Sequence, residues 1–316
     1  MTPDLPAAIQ AIQDGQLVGM PTETVYGLAA DATNDRAVAR IFEAKGRPHF
    51  DPLIVHVADA EQAWTVARPT DRARRLAQAF WPGPLTLILP RTELVPDLVT
   101  SGLETVGVRC PAHPMARELI ARSARPLAAP SANLFGRVSP TTAEHVREQL
   151  GDRVAVILDG GPCEVGVEST VLRVEPEPLI LRPGGVSREA LEECLGETVR
   201  VADRSARAGS LPREAPGLLS SHYAPTVPVT LLDDDEAWPT DAHVGRLCLN
   251  DEGLPAGGPT EILSTSGDLT EAATRLFAAL RALDQSGVEK IVTKRVPDHG
   301  LGLAINDRLR RSAGVG

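Results

Sequence analysis

The feature that most constrains this chain is a succession of short apolar runs through its first two hundred residues: QLVGM, PLIVHV, LTLIL, VGVRC, PLAAP, VAVIL, STVLRV and LILR. Several are continuous rather than alternating, the pattern of strands covered on both faces. Helical segments stand between them. NDRAVARIFEAK has Asn34 as N-cap and Val38, Ile41 and Phe42 at helical spacing. HPMARELIARS reads the same way, TTAEHVREQL places Thr141 and Glu144 in capping-box spacing, and SREALEECL starts from Ser187. The expected fold class is α/β: a twisted open sheet with flanking helices over residues 1–202.

Composition changes near residue 200. ADRSARAGSLPREAPGLLSSHYAP has no strand or helix periodicity and is too long for an ordinary connection, so residues 203–226 read as a linker or lid. Beyond it, VPVTLL, HVGRLCL, TEILS and KIVTKRV read as strands, DLTEAATRLFAALRALDQSG as a capped helix, and LGLAINDRLRRSA as a final amphipathic helix with a basic end. Residues 227–316 thus form a second, smaller α/β domain, as a length of 316 residues favours.

The net charge of −10 and only 3% aromatic residues speak against phosphate-driven or base-stacking attachment to nucleic acid. Cys110, Cys163, Cys194 and Cys248 lie far apart and never form CxxC, so neither a metal site nor a disulfide scaffold is expected. MTPDLPAAIQ lacks the basic and apolar regions of a secretory signal, and no apolar run reaches membrane-spanning length. A cytoplasmic protein with no membrane partner is the expectation.

Polar residues recur at or near the ends of the apolar runs: Thr24, His56, Arg109, Ser131, Ser169 and Arg182. Open α/β sheets bind ligands outside strand ends, so a shared pocket is expected. Lys45, Arg47, Arg109 and Arg182 give it a positive sign, which suits an anionic ligand. Lys45 and Arg47, on a Gly-Pro corner after a helix, fit either an anion clamp or simple complementarity to the helix dipole. His56, inside a strand, fits a hydrogen-bonded core residue as well as a ligand contact. No GxxxxGK[ST] and no strand-linked GxGxxG occurs, which excludes a P-loop and a dinucleotide fold as the explanation.

Taken together, PTETVYGL, KGRP…DPLIVHV, WPGPLTLIL, TVGVRCP, APSAN…GRVSPT, DGGPCEVGVEST and ILRPGG resemble the YrdC/Sua5 family, in that family's order across most of residues 10–195. KGR and SAN match its KxR and SxN signatures. SHYAP followed by a second domain resembles the long Sua5 form, whose C-terminal domain is Rossmann-like. The resemblance implies an L-threonylcarbamoyladenylate synthase, a nucleotidyltransferase that joins L-threonine, bicarbonate and ATP, releases pyrophosphate, and hands its product to a separate enzyme for t6A modification of tRNA. By the same resemblance Thr24, His56, Arg109, Ala129 and Ser169 hold threonine, while Arg47, Asp51, Thr105, Ser131, Ser139, Arg182 and Tyr223 contact ATP. Lys45, Arg47, Ser131 and Asn133 carry the two signatures and act catalytically, Lys45 and Asn133 facing the phosphates. Mg²⁺ accompanies the nucleotide. Two other readings share the domain type: a tRNA- or RNA-binding module, disfavoured by charge, and a carbamoyl-transfer enzyme, disfavoured by the missing cysteine clusters. The role of the second domain is left open.

Overall fold

In the computed structural model, residues 5–203 and 223–315 are described. The first unit carries ten strands: β1 (Val18–Met20), β2 (Gly27–Asp31), β3 (Ile54–His56), β4 (Leu85–Pro90), β5 (Thr105–Arg109), β6 (Leu127–Ala128), β7 (Val156–Ile157), β8 (Thr170–Arg173), β9 (Leu179–Arg182) and β10 (Arg200–Val201). They form one sheet in the order β10-β9-β8-β4-β5-β3-β6-β2-β1-β7. It is mixed: β3 and β5 run parallel, as do β4 and β8, whereas β1 and β2 form an antiparallel hairpin. Each apolar run read as a strand contains one. The sequence reading passed over β2, because GLAAD has no β-branched or aromatic residue to mark it.

Capping fixes the helices. The Asn34 side chain accepts from the amides of Arg36 and Ala37, and Gly46, at φ 63°, ends helix Asp35–Lys45 in the left-handed conformation that favours glycine. Ser187 caps Arg188–Leu195 as expected. The cap of Ala143–Leu150 is Thr142 rather than Thr141; its side chain accepts from the His145 amide. Helices Ala60–Val66 and Asp71–Phe80 were not anticipated, since their buried positions are mostly alanine and leave little apolar signal.

Alternation along the strands separates two faces. Leu28, Ala30, Val55, Val57, Val106 and Val108 join the main core with Val38, Ile41, Phe42, Leu76, Val146 and Leu191 from four helices. On the opposite face, Ala29 and Leu127 pack with Leu5, Ile12, Leu119 and Ile120 of helices Leu5–Gln13 and Pro114–Ser123. Ile54 and His56 flank Val55 and so point to this second face.

The second unit is a four-stranded parallel sheet, β11 (Val229–Leu231), β12 (Val244–Cys248), β13 (Thr260–Ile262) and β14 (Lys290–Thr293), in the order β11-β14-β12-β13. Helix Leu269–Gln285 buries a stripe of Ala272, Ala273, Leu276, Phe277, Leu280 and Leu283. Helix Gly302–Ser312 departs from expectation: Asn306, Asp307, Arg308, Arg311 and Ser312 are buried, so the side expected to face solvent faces protein. Of the expected lid, residues 204–222 lie outside the described residues; its end, from Tyr223, is described. No helix among the described residues is long and apolar enough to cross a membrane.

The two units share one apolar cluster, with Val25, Val138, Val167 and Tyr223 packed among Leu276, Phe277, Leu280, Ile305 and Leu309. Thr274 Oγ1 donates to the Glu164 carbonyl at 2.7 Å across the seam. There Gly166, at φ 75°, lets the helix approach so closely that a Cβ would lie 2.4 Å from Thr274 Cα. Gly166→Ala is therefore expected to destabilise the chain by about 3 kcal/mol through overpacking, read as a lowered urea midpoint.

Candidate active site

A cleft opens on the second face of the large sheet. Its walls include Thr22, Arg47, Ile54, His56, Arg109, Ala129, Ser131, Glu168, Ser169, Arg182 and Tyr223. Strand register explains the gathering. His56 pairs with Arg109 across β3 and β5, and the Ala129 amide donates to the Ile54 carbonyl at 3.0 Å. Gly27 bridges to Ser131. The floor is thus partly sheet face, and not only the strand ends the sequence suggested.

PTETVYGL is the turn of the β1–β2 hairpin and its polar side chains are buried. Thr22 Oγ1 donates to the Val25 carbonyl at 2.6 Å and lies 2.9 Å from Thr24 Oγ1. Thr22, rather than Thr24, reaches the cleft wall. Tyr26 donates its hydroxyl to the Gly161 carbonyl at 2.7 Å and pins the turn from behind. Glu23 pairs with Arg109 at 2.7 Å and accepts from the Ala112 amide at 3.0 Å.

The KGR corner divides two tasks about Gly46. Lys45 Nζ donates to the backbone carbonyls of Ser131 and Asn133, both at 2.5 Å, and so holds the SAN loop in place. It is fully buried, and burial, with Arg47 adding to it, drives its pKa well below the ordinary ammonium range. Arg47 turns the other way, pairs with Asp51 at 2.9 Å, donates to the carbonyls of Asp51 and Pro52, and lines the cleft. Asn133 is spent on the carbonyls of Leu134 and Arg137, each at 2.8 Å. Neither Lys45 nor Asn133 is part of the cleft wall; both hold the loop behind it.

On the far side, Ser169 shares a 2.8 Å hydrogen bond with Thr86, and Arg182 donates to the Ser169 carbonyl at 2.9 Å and to its hydroxyl at 3.2 Å. Ser139 stands behind Glu168 and donates to it at 2.6 Å. Thr105 is at the opposite end of β5 from Arg109, roughly 13 Å along the strand, and does not line the cleft. Of the residues anticipated from sequence, Arg47, His56, Arg109, Ala129, Ser131, Ser169, Arg182 and Tyr223 share the cleft. Thr24, Lys45, Asp51, Asn133 and Ser139 support it from behind. Thr22 and Glu168 also line it and had no role from sequence; a glutamate in GVEST looks like any solvated acid until the fold buries it.

Residues 10–184 match the Sua5/YciO/YrdC family model, described as telomere recombination, and residues 186–314 match the model described as the threonylcarbamoyl-AMP synthase C-terminal domain. The chain belongs to this family. It is 43% identical to the threonylcarbamoyl-AMP synthase of Pyrococcus abyssi over 96% of this chain and 92% of the relative. With that of Bacillus subtilis it shares 41%, over 99% and 93%. The crystal structure of P. abyssi Sua5 complexed with L-threonine superposes with a TM-score of 0.90 at 41% identity, covering 98% of this chain and 94% of that one. E. coli YciO, at 23% identity and a TM-score of 0.51 over 58% of this chain and 93% of that one, shares the fold of the first unit.

Within this Sua5-type cleft the imidazole of His56 is neutral at working pH. Burial, reinforced by the Arg109 charge, lowers its pKa from 6.5 to about 3. The unfolded chain takes up this proton near pH 6.5 and the native one only near pH 3, so the contribution is intact above 6.5 and is lost as pH falls through that window. Between pH 7.5 and pH 5.0 the wild type is expected to lose about 2 kcal/mol on this account. Urea titrations should show a flatter pH dependence for His56→Gln.

Proposed function

We propose that this chain is a threonylcarbamoyl-AMP synthase, a nucleotidyltransferase that converts L-threonine, bicarbonate and ATP into threonylcarbamoyl-AMP and pyrophosphate. The observation that carries this reading is one cleft walled by Arg47, His56, Arg109, Ser131, Ser169 and Arg182, in a chain similar over nearly its whole length to proteins of that name. The threonine amine adds to bicarbonate with loss of water, giving a carbamate. A carbamate oxygen then attacks the α-phosphorus of ATP, and the bond to the β,γ-pyrophosphate breaks. The carbamate and ATP are both anionic, so the protein's work is to align them and offset their repulsion.

Arg109 suits the threonine carboxylate, with Glu23 setting the angle of its guanidinium fork. His56, being neutral, offers a hydrogen bond without competing as a charge. Thr22 and Ser169 complete the amino-acid half, with Thr24 supporting Thr22 from behind. Arg47, Ser131, Arg182 and Tyr223 serve the nucleotide half, with Asp51 and Ser139 supporting them. Mg²⁺ arrives with the triphosphate and takes its oxygens chiefly from phosphate and water. The product passes to a tRNA-modifying transferase in the cytoplasm, and this chain forms no stable nucleic-acid complex.

Incubation with labelled L-threonine, bicarbonate and Mg·ATP is expected to give a labelled adenylate and pyrophosphate in equal amounts; no adenylate would overturn the reading. Arg109→Lys replaces a planar fork with a point charge and should weaken L-threonine binding about 10- to 100-fold. Titration calorimetry reads this directly, and an unchanged affinity removes Arg109 from its role.

A further inference from the structure

Helix Gly302–Ser312 of the second unit sends Arg308 across the seam into the back of the cleft. Its Nε donates to Glu168 Oε2 at 2.8 Å, and its Nη1 donates to the Pro183 carbonyl and to Asp307 Oδ2, both at 2.8 Å. Glu168, itself in the cleft wall, accepts from Ser139 on its other oxygen. The guanidinium carbon of Arg308 stands 5.2 Å from the centre of the Tyr223 ring, and that of Arg311 stands 5.3 Å away. Phe277 packs on the same ring at 5.5 Å.

Tyr223 is also held at φ 65°, a left-handed backbone that a bulky residue adopts only where its surroundings impose it. Those surroundings are the second unit's: Ser312 Oγ donates to the Tyr223 carbonyl at 3.0 Å, and Asp284 accepts from the Thr226 amide at 2.8 Å. Burial raises the cost of a charge on Glu168, yet Arg308 and then Arg182 outweigh it and hold the carboxyl below its ordinary range. One side chain that does not itself line the cleft thus touches both an ionised Glu168 and the aromatic wall.

We propose that Arg308 is a positioning residue for the nucleotide half of the site, fixing Glu168 and Tyr223 in one arrangement, so that the reaction chamber is complete only with the last helix docked. The proposal rests on the activity read above and gives the second unit a part in it. Nucleotide affinity then depends on a residue far along the chain, whereas the threonine half, built around His56 and Arg109, does not.

The test uses the full chain with Arg308→Gln, Arg308→Lys and, as a control on the same helix, Arg310→Ala. Lysine keeps the buried cation but loses the fork and the flat face over the ring. Mg·ATP and L-threonine are titrated separately, and the ATP KM and kcat are measured. Arg308→Gln is expected to raise the ATP Kd and KM at least tenfold and Arg308→Lys at least threefold. In both, the L-threonine Kd should stay within twofold, and Arg310→Ala should match the parent. An ATP affinity within twofold of the parent in folded Arg308→Gln, or equal losses for both ligands, overturns the proposal. So does failure of both variants to fold, which would make Arg308 a strut alone. A parent chain that binds ATP but makes no adenylate would refute the activity and leave the positioning claim to be decided by the ATP Kd.

Discussion

A cleft for anions has to bury cations, and a buried cation without a partner is prohibitively costly. This constraint orders the whole site. Arg47 is held by Asp51, Arg109 by Glu23 and Arg308 by Glu168, at 2.9, 2.7 and 2.8 Å. Lys45 is held by two carbonyls and Arg182 by Ser169. Each cation is thereby fixed in direction before any substrate enters, which is the preorganisation that electrostatic catalysis requires. The cost is a pocket less positive than a list of its lysines and arginines suggests.

The same pairing links distant parts of the chain. Glu23 lies in the first hairpin and Arg109 at the end of β5, so their contact ties the hairpin turn to the sheet at the cleft. Lys45, at a helix C-terminus, secures a loop almost ninety residues on. Glu168 joins Ser139 in the first unit to Arg308 in the second. The seam between the units is therefore polar where it meets the cleft and apolar where it meets helix Leu269–Gln285. Apolar packing supplies the adhesion and the ion pair supplies the register.

Periodicity and caps carried much of the fold into the sequence. The continuous runs around Val55, Leu87, Val108 and Ile180 marked strands buried on both faces, and Asn34 and Ser187 marked helix starts, because these patterns arise from local geometry. The signatures around Lys45, Ser131 and Arg182 were legible too, since they are contiguous motifs. What stayed hidden was β2, built of small residues, where neighbours rather than side-chain type set the conformation.

The sequence by itself determined that the chain has two α/β units, which residue types border the cleft, and to which family it belongs. Only the tertiary structure decided what each polar group does: that Lys45 holds a loop, that Thr22 rather than Thr24 reaches the wall, and that Thr105 stands apart. It also turned the basic end of the last helix inward onto Glu168 and Tyr223. The reason is physical. A side chain's propensity acts over a few residues, whereas the partner that satisfies a buried charge is chosen by strand register and domain docking across the whole chain.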